Sequence, residues 1–332
     1  MSIRLLDCTL RDGGYVNNWE FDNASAKQMM EGLYRSGAQI IEIGILGKGG
    51  RAGEQTLFSN FEDMEPLMVA RHDNCEYALM TNAADLDQFE IPRRSNKTVD
   101  SIRIAFFKTE WKKAMGMAKD IKEKGYKVYL QTMASFMYSE DEFEELIDAV
   151  NQVKPYAFYM VDSFGTMMTH DVTAMEKMIA SRLDTEIVLG FHAHNNMQMA
   201  FANVVAFLEQ PVRHNRIVDS SIYGMGRGAG NAPTELVMNY LNTTFGANYK
   251  LSAVEILYDN VIAPIFGKYY WGYSMNYMIT ARHKLNTAYG WYLGVKGVKS
   301  ATDFDTVVSK IDADNKTKLN KALIDKFISE LK

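Results

Sequence analysis

Cysteine is scarce: there are two, Cys8 and Cys75, in 332 residues, too few for a disulfide framework. That scarcity fits a reducing compartment, and a cytoplasmic location is expected. Basic residues show no surplus. Thirty-six lysines and arginines stand against 41 acids, a net charge of −5, with pI near 5.8. Neither nucleic acid nor an anionic membrane surface is an expected partner. No stretch approaches the ~20 apolar residues of a membrane span. The opening Met1-Ser2-Ile3-Arg4 lacks the apolar segment of a signal peptide, so no leader is expected. What is present is an ordinary globular composition, 47% apolar and 23% charged. The length suits one large domain with an appendage, or two domains. The 21 methionines are scattered, which marks them as adaptable core filler, not a metal-binding feature.

Over the first two-thirds, short apolar β-rich runs alternate with amphipathic stretches. Strands are expected at 3–7, 40–44, 77–80, 101–106, 127–131, 157–161, 187–192 and 217–222. Helices are expected near 22–36, 83–90, 109–124, 139–152, 169–183, 195–209 and 233–243. Residues 45–75, with Gly47, Gly49, Gly50 and Gly53, read as a long loop with short helical pieces. This alternation predicts an α/β fold, either a (β/α)8 TIM barrel or a doubly wound sheet. A barrel takes about 250 residues, and the alternation stops near 245. The expected organisation is therefore a TIM-barrel catalytic domain over 1–245 and a helical C-terminal lobe over 246–332. Lobe helices are expected near 252–265, 274–288, 303–312 and 316–331. Residues 266–293 are rich in aromatics, which reads as a face packing on the barrel or on a second subunit. One of its tyrosines is also expected to reach the active site.

Polar residues collect where the expected strands end, the part of a barrel that carries chemistry. They are Arg11 and Asp12, then Glu42, Asn82, Lys108, Gln131, Asp162-Ser163, and His192 with His194. Alone, Arg11-Asp12 reads as a surface ion pair of little consequence. His192-Ala193-His194 is more informative, because residues i and i+2 on a strand share a face. Two imidazoles there, with Asp12 brought near by barrel closure, suit a divalent metal acting as Lewis acid: Mn2+, Mg2+, Co2+ or Zn2+. The loop Gly224 to Asn231 loosely mimics a dinucleotide fingerprint. No following strand offers an acid for a ribose, so NAD is not expected. The loop reads instead as a tight turn placing Asn231 near the metal, or as an anion grip at a helix start.

Together, Thr9-Leu10-Arg11-Asp12-Gly13, His192-Ala193-His194-Asn195 and Gly224 to Asn231 resemble the DRE-TIM metallolyases. That superfamily holds 4-hydroxy-2-oxovalerate aldolase, hydroxymethylglutaryl-CoA lyase and the isopropylmalate and homocitrate synthases. The likeness covers residues 3–245 and is greatest to the aldolases, whose fourth strand resembles Ile102-Arg103-Ile104-Ala105. The resemblance implies a metal held by Asp12, His192 and His194, with Asn231 a further ligand candidate. It implies Mn2+ or Mg2+ ahead of Co2+ or Zn2+. Arg11 is implied as the partner of a pyruvate enolate, and Asp162 and Ser163 as part of the substrate pocket. Glu42, Lys108 and Gln131 join the substrate-binding candidates. The implied reaction cleaves or forms a C–C bond in a 4-hydroxy-2-oxo acid. Two departures stand out. Tyr15 occupies the place of the aldolases' acid–base histidine, and Phe107-Lys108 replaces their His-Cys. The base is therefore open among Tyr15, a metal-bound hydroxide, and Tyr273 or Tyr277 of the lobe. Alternatives are a Claisen-type acyltransferase joining acetyl-CoA to a 2-oxo acid, a Schiff-base aldolase using Lys108, and an inactive barrel serving as scaffold. The implied partners are the 2-oxo acid, an acylating aldehyde dehydrogenase and a second copy of the chain.

Overall fold

A computed structural model describes residues 2–331. Eight parallel strands form the barrel: β1 Ile3–Asp7, β2 Ile40–Leu46, β3 Glu76–Asn82, β4 Ser101–Phe106, β5 Lys127–Thr132, β6 Ala157–Asp162, β7 Val188–Ala193 and β8 Arg216–Ser220. Closure is made by β1, which pairs with β8 from Ile3↔Arg216 to Asp7↔Ser220 and with β2 at Leu6↔Ile40. A two-residue strand, Leu57–Phe58, extends the edge of β2 and orders part of the expected 45–75 loop. All eight strands fall where the alternation placed them.

The larger helices outside the strands are α1 Asn23–Ser36, α2 Trp111–Glu123, α3 Glu140–Val153, α4 Thr169–Arg182, α5 Ala200–Glu209 and α6 Thr234–Phe245. Their ends follow local chemistry. Asp22 Oδ1 accepts from Ser25 N at 2.7 Å to start α1, and Gly37 ends it in the left-handed region. Ser139 and Glu142 form a reciprocal capping box at α3. The helix expected at 83–90 reduces to one 3-10 turn, Leu86–Gln88. Pro92 follows closely, and a proline disfavours helical geometry at the residue before it.

Two buried layers result. The outer one lies between strands and helices. The inner one fills the barrel with Leu6, Ile40, Tyr129, Tyr159, Val161 and Ile217 among others. Gly190 is required here, because a Cβ on it would overlap the Tyr159 ring. Beyond the barrel, helix α7 Leu251–Leu257 lies on α1, so close that a Cβ at Gly32 would come within 2.6 Å of Leu257. Tyr249, Val254, Leu257, Ile262 and Trp271 all belong to the barrel's outer core. A separate cluster begins at Ile279 and runs to Ile324. The helix expected over 274–288 is two, α8 Met275–Arg282 and α9 Ala288–Val295. Lys284 breaks it at φ 55°, and Asn286 Oδ1 then accepts from Ala288 N at 2.9 Å.

Candidate metal centre and active site

The site begins where β1 ends. Asp7 Oδ1 accepts from Thr9 N at 2.9 Å and Oδ2 from Thr234 Oγ1 at 2.6 Å, fixing the turn out of the strand. One helical turn, Thr9–Asp12, carries Arg11 and Asp12 to the barrel mouth, where both are buried. Trp19 Nε1 holds the Arg11 carbonyl at 2.7 Å. Across the mouth, β7 presents His192 and His194, ring centroids 5.0 Å apart. The glycine loop is laced to that strand end: Asn195 N donates to Gly230 O at 2.8 Å, and Asn231 bridges His194. The lacing sets Asn231 Nδ2 2.7 Å from Asp12 Oδ2. Gly226 is glycine for a packing reason, since a Cβ there would stand 2.6 Å from Asp12 Oδ2.

Ligand atoms of Asp12, His192 and His194 all lie within 4.8 Å of one another. His192 Nδ1 is 2.9 Å from Asp219 Oδ2, which leaves Nε2 for a metal. His194 Nδ1 and Asn231 Oδ1 are buried without hydrogen-bond partners. Burial, aided by His192, Arg227 and Arg11 and opposed by Asp12, pushes His194 down to about 3, so its imidazole is neutral, as a ligand must be. Burial alone raises a carboxyl, but the Arg11 charge, with His194, His192 and the Asn231 hydrogen bond, holds Asp12 well below the usual carboxylate range. The donor set therefore fits a divalent cation: one carboxylate, two imidazoles and a spare amide oxygen.

Behind these three residues runs a buried chain of alternating charge. Arg11 Nη1 pairs with Asp12 and its Nε with Glu42 Oε2 at 2.7 Å. Glu42 Oε1 lies 2.9 Å from Arg103 Nη1, and Arg103 Nη2 pairs with Asp219, which holds His192. The Arg103 guanidinium lies over the Tyr159 ring at 4.9 Å. The chain ties the Asp12 side of the centre to the His192 side through the barrel interior. Sequence reading did not assign Arg103 and Asp219 a role. A signal was present: each is a lone charge inside an apolar strand, and such charges persist only when paired.

The sequence candidates divide. Arg11, Asp12, Tyr15, Asn82, Gln131, Ser163, His192 and His194 line one pocket. Glu42 does not. It is fully buried beneath Arg11, and its Oε2 receives that guanidinium's Nε at 2.7 Å. Asp162 is not among the pocket's lining either: its two oxygens accept from Thr166 N at 2.9 Å and Met167 N at 3.0 Å, ordering the turn after β6. Lys108 opens a 3-10 turn, Lys108–Glu110, and pairs with Glu142 at 2.5 Å, while Phe107 before it lines the pocket. Tyr273 is 48% exposed and lines neither this pocket nor the cavity beside it. Tyr277 lines the neighbouring cavity, together with Tyr15 and Arg227. Arg227 borders both spaces.

Residues 2–259 match the HMGL-like family model. The chain is 28% identical over 270 residues to 4-hydroxy-2-oxovalerate aldolase of Roseiflexus sp. (strain RS-1), covering 79% of this chain and 77% of that protein. The N-terminal domain of a putative aldolase from Bacteroides vulgatus superposes with a TM-score of 0.76 at 27% identity, covering 87% of this chain and 96% of that one. The carboxyl transferase domain of Rhizobium etli pyruvate carboxylase covers 99% of this chain and 60% of its own, with a TM-score of 0.74 at 11% identity, a likeness of fold alone.

Proposed function

The chain belongs to the HMGL-like family, and from that premise we propose that it is a divalent-metal-dependent carbon–carbon lyase acting on a 4-hydroxy-2-oxo acid. The observation that carries this reading is the convergence of Asp12, His192 and His194 within 4.8 Å beside a buried arginine. Mn2+ or Mg2+ is the expected ion, with Co2+ or Zn2+ as alternatives, held by those three residues and the Asn231 amide oxygen. When bound, it supplies Lewis-acid polarisation of the 2-keto group.

The chain's own residues do the rest. Gln131 Nε2, buried without an acceptor, and the Ser163 hydroxyl, whose oxygen accepts from Ala134 N at 2.9 Å, are the donors left for the substrate carboxylate. Tyr15, acting from its phenolate form, takes the proton from the 4-hydroxyl and becomes the phenol. The C4–O electrons form the aldehyde carbonyl, and the C3–C4 pair moves into an enolate whose oxygen carries the charge. Arg11 stabilises that oxygen, held in place by Asp12 and Glu42. The proton held by Tyr15 passes to C3, which releases pyruvate and returns Tyr15 to the phenolate. Synthesis is the same path reversed. An acylating aldehyde dehydrogenase consuming the aldehyde, and a homodimer, belong to this proposal as its partners. A Schiff-base route is disfavoured, since no lysine lines the pocket among the described residues.

The test is exchange of pyruvate methyl protons for deuterium, followed by NMR. Metal-loaded protein is expected to exchange them, chelator-treated protein to lose the activity, and added Mn2+ to restore it. Tyr15→Phe should lower aldol cleavage by about 10² to 10⁴-fold. Full exchange by metal-free protein would sink the metal reading, and unchanged cleavage by Tyr15→Phe would remove Tyr15 from the proton step.

A further inference from the structure

Beside the metal pocket lies a larger cavity of about 770 Å³, and Tyr15 and Arg227 line both. It is framed by the barrel loop around Trp19, the glycine loop at 226–228 and the lobe between Lys268 and Trp291. Its lining contains two cations, Arg227 and Lys268, and no carboxylate, in a chain whose net charge is −5. That local excess runs against the whole molecule.

Arg227 is the informative residue. Among the described residues it has no ion-pair partner, although it is half-buried and its backbone adjoins Asp12. One guanidinium nitrogen donates to Asn286 Oδ1 of the lobe. Asn286 is itself fixed, donating to Thr317 O at 2.6 Å and accepting from Ala288 N at 2.9 Å. The guanidinium stands over the Tyr15 ring at 5.6 Å, between the two spaces. A guanidinium held in place, partly desolvated and lacking a carboxylate is built to receive one from a ligand, or a phosphate. Trp19, Trp271 and Trp291 are among the residues that wall the rest, and a volume in this range suits a small-molecule body.

Resting on the lyase reading, we propose that Arg227 and Lys268 recognise an anionic group at the far end of the aldehyde fragment. The substrate is then a long 4-hydroxy-2-oxo acid charged at both ends: its 2-oxo acid end lies at the metal, its body along the indoles, and its distal carboxylate or phosphate on Arg227. Asn286 acts as a positioning residue.

The test runs in the synthetic direction, with pyruvate and four aldehydes: propanal, glyceraldehyde, succinic semialdehyde and glyceraldehyde 3-phosphate. The two anionic aldehydes are expected to have kcat/KM higher by about 10- to 100-fold. Which of them leads tells carboxylate from phosphate. Arg227→Met should erase the preference through KM, Lys268→Met should reduce it, and Arg227→Lys should restore part of it. Tryptophan fluorescence, titrated with succinate and with inorganic phosphate, reads the same site without turnover, and saturable binding should be lost in Arg227→Met. Neutral aldehydes used as well as anionic ones, with no saturable anion binding, would overturn the inference while pyruvate exchange stands. Absence of pyruvate exchange in the wild type, with anion binding intact, would instead strike the lyase reading and with it the substrate class assigned here.

Discussion

Arg103 shows how much of the centre depends on a side chain that touches no substrate. It is fully buried, bridges Glu42 and Asp219, and through them steadies Arg11 and His192. Replacing it with methionine fills similar space but leaves the buried Asp219 carboxylate without its arginine and Glu42 with Arg11 alone. Loss of one partner from a buried ion pair costs about 3–5 kcal/mol. Arg103→Met should therefore lower stability by about that much in urea denaturation and weaken metal affinity, read by competition with a chelator dye, by roughly 10- to 100-fold. A variant as stable as the wild type with unchanged metal affinity would mean the chain of charges is not coupled to the centre. At this scale the sequence was legible in part. Asp12, His192 and His194 could be found because their types and spacing state a chemistry. The roles of Glu42 and Asp162 could not, because a carboxylate near a strand end looks the same whether it faces substrate, an arginine or backbone amides. Only the direction of the side chain separates these cases.

Elements carry a second buried pair, far from the chemistry. Glu176 on α4 is fully buried, with Arg216 Nη2 of β8 at 3.0 Å. Yet Arg216 spends its donors on the carbonyls of Leu208 and Gln210, and neither Glu176 oxygen receives a hydrogen bond. Burial therefore prevails over the Arg216 charge and pushes the Glu176 carboxyl up to about 8. The unfolded chain releases that proton near the ordinary glutamate value of about 4.3. Between those limits the native state binds more protons than the unfolded state, so the Glu176 contribution to stability falls as pH rises. Glu176→Gln removes the titration. Urea midpoints measured between about pH 5 and about 7.5 should show wild type losing ground to the variant by up to about 1.4 kcal/mol per unit. A constant difference across that range would show an ionised pair and refute the assignment. The strands themselves were readable because parallel barrel strands are apolar on both faces. The helices at 83–90 and 274–288 were misjudged, because one proline and one left-handed lysine outweigh a periodic pattern.

The whole molecule poses the question of where the barrel stops. The alternation of strands and helices ends near 245, but the barrel's outer core takes in Tyr249, Val254, Leu257, Ile262 and Trp271. Periodicity marks which segments are helical. It does not say which surface each helix covers, so α7 was readable as a helix but not as the cover of α1. Trp271 Nε1 also donates to Tyr223 O at 3.0 Å, tying this segment to the loop that carries Arg227. Past Ile279 the apolar side chains pack mainly on one another. They return to the site at Asn286 on Arg227 and at Thr287 Oγ1, which accepts from Asn196 Nδ2 at 3.0 Å. Cutting the chain after residue 245 would strip Tyr249, Val254, Leu257, Val261, Ile262 and Trp271 off the barrel, each worth about 1.5–3 kcal/mol of burial, together more than the ordinary margin of a domain. That fragment should be insoluble or molten. A fragment ending at 273 keeps the outer core and should unfold cooperatively, but at lower denaturant than the full chain, with pyruvate exchange reduced because Asn196, whose Oδ1 holds Ala229 N of the glycine loop, loses its contact with Thr287. Circular dichroism and urea titration of the two fragments decide the matter. A well-folded 1–245 fragment would show that the barrel closes its own core, and that the helices beyond it are an accessory to the site and not part of its foundation.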